Sequence, residues 1–211
     1  YVVIVGWVLD YFFRSVTGNL HYNSYSIAHH QFELMKLNHW GMLLTDSTVI
    51  LGSVLVLIKG IKKGLERAVL IIFPILFFLL LILLIYAINT GYFVQGLSYL
   101  FSVDFSKITH HTFVLAMGQA FFSVGIAIGI IIMFSAYIPE TVSLVESAFW
   151  IVLADTIFAL LAGMVIFPFV FAYHLSPAAG PSLIFQTLPI AFSHMQWGMP
   201  IASLFFLMLF L

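Results

Sequence analysis

GQAFFSVGIAIG, residues 118–129, sits in the middle of an uncharged run that extends from 112 to 137. A run of that length crosses a bilayer, because about 20 apolar residues rising roughly 1.5 Å each span the hydrocarbon. Its centre nevertheless carries Gln119, Ser123, Gly125 and Gly129, which weaken a helix where lipid supplies no hydrogen-bond partner. Backbone that opens at membrane depth survives only against protein or a watery cavity, where its freed carbonyls and amides can hold an ion or a substrate. The spacing allows a second arrangement. GIAIG is also a GxxxG pattern, which lets two intact helices approach closely. The stretch therefore predicts either a helix that breaks near 124–128 around a binding site, or an unbroken one that packs a structural or scaffold membrane subunit.

Composition sets the solvent. The 211 residues are 63% hydrophobic and 7% charged, with a mean hydropathy of +1.16. A soluble domain carries about a quarter charged residues, so this is an integral membrane protein with the lipid bilayer as its surroundings, and its long apolar runs predict an all-α polytopic one. Cysteine is absent, which removes disulfides, zinc-thiolate sites and thiol nucleophiles. A net charge of −1 offers no basic surface for nucleic acid. Tyr1 opens directly on an apolar run without an initiator Met or a charged signal region, and IASLFFLMLFL reaches Leu211 without a polar flank. The expectation is an internal fragment of a larger membrane protein.

Residues 1–211 form a single transmembrane domain of six apolar spans, at about 1–17, 40–58, 68–87, 112–137, 147–173 and 194–211. Pro74 is placed to kink the third. Polar loops cover 18–38 and 89–111, and a turn at 138–146 follows the fourth span. Residues 174–193 are apolar but broken by Pro177, Pro181 and Pro189, so they read as a short re-entrant or capping hairpin. Four of the seven Lys and Arg lie in one turn, KGIKKGLER at 59–67, which the positive-inside rule places in the cytoplasm. Alternation then puts 18–38, 89–111 and the 174–193 hairpin outside, and the chain as a multi-pass protein of the plasma membrane, the inner membrane in bacteria.

With spans and polarity in place, four segments in order carry a resemblance: GQAFFSVGIAIG, KGIKKGLER, LAGMVIFP in the fifth span and QTLPIAFSHM before the sixth. The chain resembles the neurotransmitter:sodium symporter family over nearly its whole length, most closely the bacterial amino-acid transporters of LeuT type. The resemblance implies helices three to eight of a partial LeuT-type inverted-repeat fold with a discontinuous helix near 124–128. The implied function is sodium-coupled symport of a small amino acid or related amine by alternating access, with Na⁺ as the co-transported ion and no organic cofactor. Oligomeric state stays open, a homodimer included.

The resemblance also assigns residues, each beside a plainer reading. Tyr1 matches the third-helix tyrosine that bonds the substrate carboxylate, with Trp7 setting the register; by itself it is an interfacial aromatic. Ser123 falls where a hydroxyl and carbonyl ligate sodium, a hard cation that suits oxygen; alone, it is a serine bonded to its own helix or a neighbour. Gly125 and Gly129 flank the unwinding point. Here the chain departs from the family's TLSLGxG: Gly125 replaces Ser, Ala127 replaces Gly, and Ile128 stands where an aromatic or Met is common. Gly125 and Ile128, together with Ser123, would thus line the substrate pocket, beneath Phe122 as its aromatic lid. Gln119 faces the outer gate, and Tyr137 helps close the inner one. Ordinary packing for Phe122 and an interfacial place for Tyr137 remain the alternatives.

Asp155 is the one charge in its span. A carboxylate near a helix centre costs roughly 2.5–3.5 kcal/mol on insertion scales, so it needs a partner, or else reaches water at the cytoplasmic end. The family has an Asn here that ligates sodium and, in chloride-dependent members, contacts chloride. An Asp would ligate sodium and bring the negative charge itself, which implies chloride-independent symport. The second sodium site and much of the substrate pocket would lie outside this chain. Asp10, four residues before Arg14, and Asp46 read as structural. An enzyme reading would need His29-His30, His110-His111, His39 or His194 as metal or haem ligands; helical HxxxH spacing is missing, and the expectation is no enzyme.

Overall fold

Runs of Leu, Ile, Val and Phe at membrane depth leave the backbone no partner but itself, and a helix satisfies each interior N–H and C=O within its own segment. The computed structural model describes residues 1–126, 129–138, 141–175, 177 and 183–211, and among them the regular elements are all helical. In chain order they are α1 Val2–Val16, α2 Tyr25–Leu37, α3 His39–Leu57, α4 Glu66–Ile88, α5 Phe93–Phe101, α6 His110–Val124, α7 Ile130–Ser135, α8 Leu144–Ala172, α9 Leu188–His194 and α10 Gly198–Phe210. Single π-helical turns precede α4 (Ile61–Leu65) and α9 (Leu183–Thr187). Among the described residues three helices are long and apolar enough to cross a membrane: α3, α4 with its lead-in from Lys63, and α8, with mean hydropathies of 1.7, 3.4 and 2.3.

The chain divides into two compact units. The first joins Tyr1–Tyr99 to Met164–Leu211. In it α1 packs on α3 and α10, and α10 also meets α4 and α9. Tyr11 of α1 is fully buried, its ring 5.3 Å from both Phe185 and Phe206, and Trp7 stands edge-on to Phe32 at 5.3 Å. Phe192 continues the cluster to Phe205 and Phe169. Lipid tails are as apolar as these rings, so cohesion comes from close contact and edge-to-face geometry rather than from escape from water. α4 shows the resulting division: Leu79, Leu80, Leu83 and Ala87 form one buried stripe, while Phe78, Ile82 and Ile85 face outward.

The second unit is Leu100–Gly163. Here Thr109 and Thr112 form a reciprocal capping box that starts α6 at His110. The helix stops at Val124 because Gly125 turns left-handed, φ 74°, its N–H closing on the carbonyls of Phe121 and Phe122. Gly129 is left-handed as well, φ 76°, and opens α7. Only glycine occupies that region without steric cost, so these two residues make the break. Ala127 and Ile128 lie outside the described residues.

The structure revises several sequence-based expectations. An unbroken hydrogen-bond ladder from 111 to 137, which the scaffold reading requires, is not formed; α6 ends at Val124. The polar loops contain helices: α2 lies within 18–38, and α5 within 89–111. The last apolar helix begins at Gly198, four residues beyond His194, because α9 ends at His194 and Trp197 takes φ 65° before α10 starts.

Candidate functional site

Ser123 sits in the last turn of α6, one residue before the helix ends. Asp155 lies eleven residues after Leu144, the first of α8, or about 16 Å along that helix. Both belong to the second unit, and Ser123 Oγ donates to Asp155 Oδ2 at 2.6 Å. Hydroxyls elsewhere on the apolar helices bond back to their own turn: on α3 Thr48 to the Leu44 carbonyl and Ser53 to Val49, on α8 Thr156 to Val152. Ser123 instead reaches another helix. The pair therefore supplies a carboxylate and a hydroxyl oxygen beside the C-terminal end of α6, where unsatisfied carbonyls carry the negative end of the helix dipole. Hard oxygen donors in a negative field are the chemistry of an alkali or alkaline-earth cation site.

Gln119 is four residues before Ser123 and shares its helix face, and Phe122 occupies the same final turn; both are exposed. Gly125 is the left-handed residue that ends the helix. Tyr137 lies just beyond α7, exposed, its N–H on the Phe134 carbonyl. Ile128 is outside the described residues. Tyr1 belongs to the first unit, where it is exposed and lines an apolar cavity of about 740 Å³ with Val2, Thr48, Gly52 and Phe73. The structure thus gathers Gln119, Phe122, Ser123, Gly125 and Asp155 around one helix end.

The two aspartates of α1 and α3 behave differently. Asp10 pairs with Arg14 at 2.5 Å, one turn along α1. Asp46 on α3 turns Oδ1 inward, where it has no hydrogen-bond partner among the described residues.

Sequence reading missed a polar clip in the first unit. Ser193, in α9, accepts from the Tyr22 N–H at 2.8 Å and shares its own proton between the Leu20 carbonyl at 2.9 Å and the Pro189 carbonyl one turn back at 2.8 Å. Burial pushes the Tyr22 phenol up from its ordinary value, against the opposing pull of the Arg14 cation. Ser193 falls within QTLPIAFSHM, but nothing local announces a partner some 170 positions away.

Residues 28–211 match the family model described as the sodium:neurotransmitter symporter family. The chain belongs to that family. A sodium-dependent transporter of Haemophilus influenzae is 33% identical over 210 residues, covering 98% of this chain and 46% of the relative. YhdH, a sodium-dependent transporter of Bacillus subtilis, is 33% identical over 207 residues, 98% of this chain and 45% of its own length. The crystal structure of MhsT in complex with L-phenylalanine superposes with a TM-score of 0.84 at 34% identity, over 100% of this chain and 48% of that one. The chain therefore has the LeuT-type fold and spans about half the length of the curated relatives it matches. These relatives are transporters, not enzymes; their sodium dependence and the apolar helices make this a membrane chain of a sodium-dependent transporter family.

Proposed function

We propose that this chain supplies the central helices of a sodium-coupled symporter for a small amino acid or related amine, working by alternating access without chloride. The supporting observation is the Ser123–Asp155 contact at the end of a helix broken by two left-handed glycines. In this reading sodium enters between the Ser123 hydroxyl, the Asp155 carboxylate and carbonyls freed at the break. Tyr1, Phe122, Ser123, Gly125 and Ile128 would line the substrate pocket, and Gln119, Phe122 and Tyr137 would gate it. In this reading the Asp155 carboxylate itself brings the negative charge that balances sodium, without a bound anion. The 59–67 turn faces the cytoplasm of a bacterial inner membrane. L-Phenylalanine, present in the MhsT crystal, is the first substrate to try.

The test is uptake of radiolabelled amino acids into proteoliposomes holding the full-length protein. Uptake should require a sodium gradient and persist when gluconate replaces chloride. Asp155→Asn should raise the sodium concentration for half-maximal uptake about tenfold, the scale of one lost charged ligand at roughly 1.5 kcal/mol, and should make chloride stimulatory. Wild-type uptake that collapses without chloride would refute the anion-independent mechanism.

A further inference from the structure

At one end of α3 and α4 the chain builds a basic cleft that the transport reading leaves without a task. α3 ends at Leu57, Gly60 turns the chain at φ 75°, and the π turn Ile61–Leu65 leads into α4. Lys59, Lys63 and Arg67 follow at four-residue spacing and line a cavity of about 380 Å³, whose wall includes Leu55, Val56 and Ile71. Gly64 lets the turn close on α3, since a Cβ there would overlap the Val56 carbonyl oxygen. No ion pair to these three cations occurs among the described residues; Glu66, the neighbouring acid, is exposed and does not line the cavity.

Three cations held together without a counter-charge repel one another, and an anion of concentrated charge relieves them. Location selects the anion. The cleft sits where two helices long and apolar enough to cross a membrane share an end, so a bilayer spanned by both would bring its cations to headgroup depth. Its wall is aliphatic, and Leu55, Ile58 and Ile71 are exposed beside it. A soluble phosphate would use the cations and leave that wall unmatched. A phospholipid uses both: phosphate against Lys59, Lys63 and Arg67, and the first methylenes of an acyl chain along Leu55, Val56 and Ile71. We infer that this cleft binds the headgroup of an anionic phospholipid from the leaflet that the turn faces. A net-negative lipid is required because a zwitterionic headgroup brings its own cation to the same place. The inference rests on the chain being embedded in a membrane and not on the sodium site.

Native mass spectrometry of the full-length protein, released from nonionic detergent, tests this with phosphatidylglycerol, phosphatidylcholine and glycerol 1-phosphate as probes. Phosphatidylglycerol adducts should exceed phosphatidylcholine adducts about tenfold at equal lipid, and should weaken as ammonium acetate rises. The variant K59Q/K63Q/R67Q should bind the two lipids alike, whereas K36Q, which removes a cation elsewhere, should match wild type. Should the triple variant aggregate, K63Q alone carries the test and should lose about fivefold, near one basic residue's share at an anionic surface. Glycerol 1-phosphate in excess should not displace the lipid. Equal binding of both lipids by wild type, unchanged phosphatidylglycerol binding in the variants, or full displacement by glycerol 1-phosphate would overturn the inference. Sodium-driven uptake by K63Q in phosphatidylglycerol vesicles separates this result from failure of the transport reading.

Discussion

Ser123 has carbonyls of its own helix within a turn, as Thr48 and Ser53 do, yet its hydroxyl donates to Asp155. An acid at that depth is expensive unless something donates to it, which explains why the hydroxyl leaves its helix. Ser123→Ala should leave the carboxylate short of a donor, at about 1–3 kcal/mol, and raise the sodium requirement for uptake roughly tenfold; Ser123→Thr should restore most of it. Uptake kinetics on all three proteins decide the point, and an alanine variant with wild-type sodium dependence would sever Ser123 from the ion. Tyr22 makes a separate claim about pH. Its phenol is held above the ordinary value near 10, chiefly by burial, so the folded state gains from keeping it neutral. That stability is complete below the unfolded pKa and is lost as pH rises through the folded one. Thermal melts above pH 10 should therefore fall more steeply for wild type than for Tyr22→Phe; parallel slopes would show that Tyr22 does not contribute to the alkaline limb.

Among the elements, the broken helix was the most legible, because glycines and a serine at the centre of an uncharged run conflict with the run's own helix-forming length. Gly125 and Gly129 both take positive φ, a region that costs an L-residue about 1–2 kcal/mol. Gly125→Ala should destabilise the protein by about that amount in detergent melts, while Gly118→Ala, at an open position inside α6, should be neutral or better. Equal effects would mean that the break is not held by backbone handedness. α5 and α8 meet through another glycine: a Cβ at Gly96 would lie 2.8 Å from Pro168 Cδ. Gly96→Leu should separate them at about 1–3 kcal/mol, read as earlier melting. α2 was legible in principle and was missed. Ser24 accepts the Ile27 N–H, and Ala28, Phe32 and Met35 are buried at helical spacing, but the many His and Asn residues suggested a loop. The start of α10 had no sequence signal, since a tryptophan at positive φ is set by its surroundings. At the site, residue types pointed to Ser123 and Asp155 separately and the family resemblance set both on sodium; the fold adds the 2.6 Å between their oxygens.

Across the whole chain, the first unit draws on both ends of the sequence, with 100–163 inserted between them. Tyr11 and Leu20 from the early segment are buried in the same unit as Phe185, Phe192 and Phe206 from the late one, so the early helices cannot complete their packing until the late ones exist. Ser193 fastens that union by holding the Tyr22 N–H and the Leu20 carbonyl in a loop that has no ladder of its own. Removing the hydroxyl leaves a donor and an acceptor unpaired, which costs about 1–3 kcal/mol where water is excluded and less where it enters. Ser193→Ala should therefore speed amide exchange at 20–24 and in α9 together, at sites remote in sequence, while α6 exchanges as before. Cysteine pairs offer the complementary test: a crosslink between positions 22 and 193 should restore slow exchange to both segments in the background of the alanine-weakened neighbours Leu20→Ala or Ile190→Ala. If Ser193→Ala loosens α9 alone, the two ends are held by aromatic packing around Tyr11 and Phe185, and the clip only orders a loop.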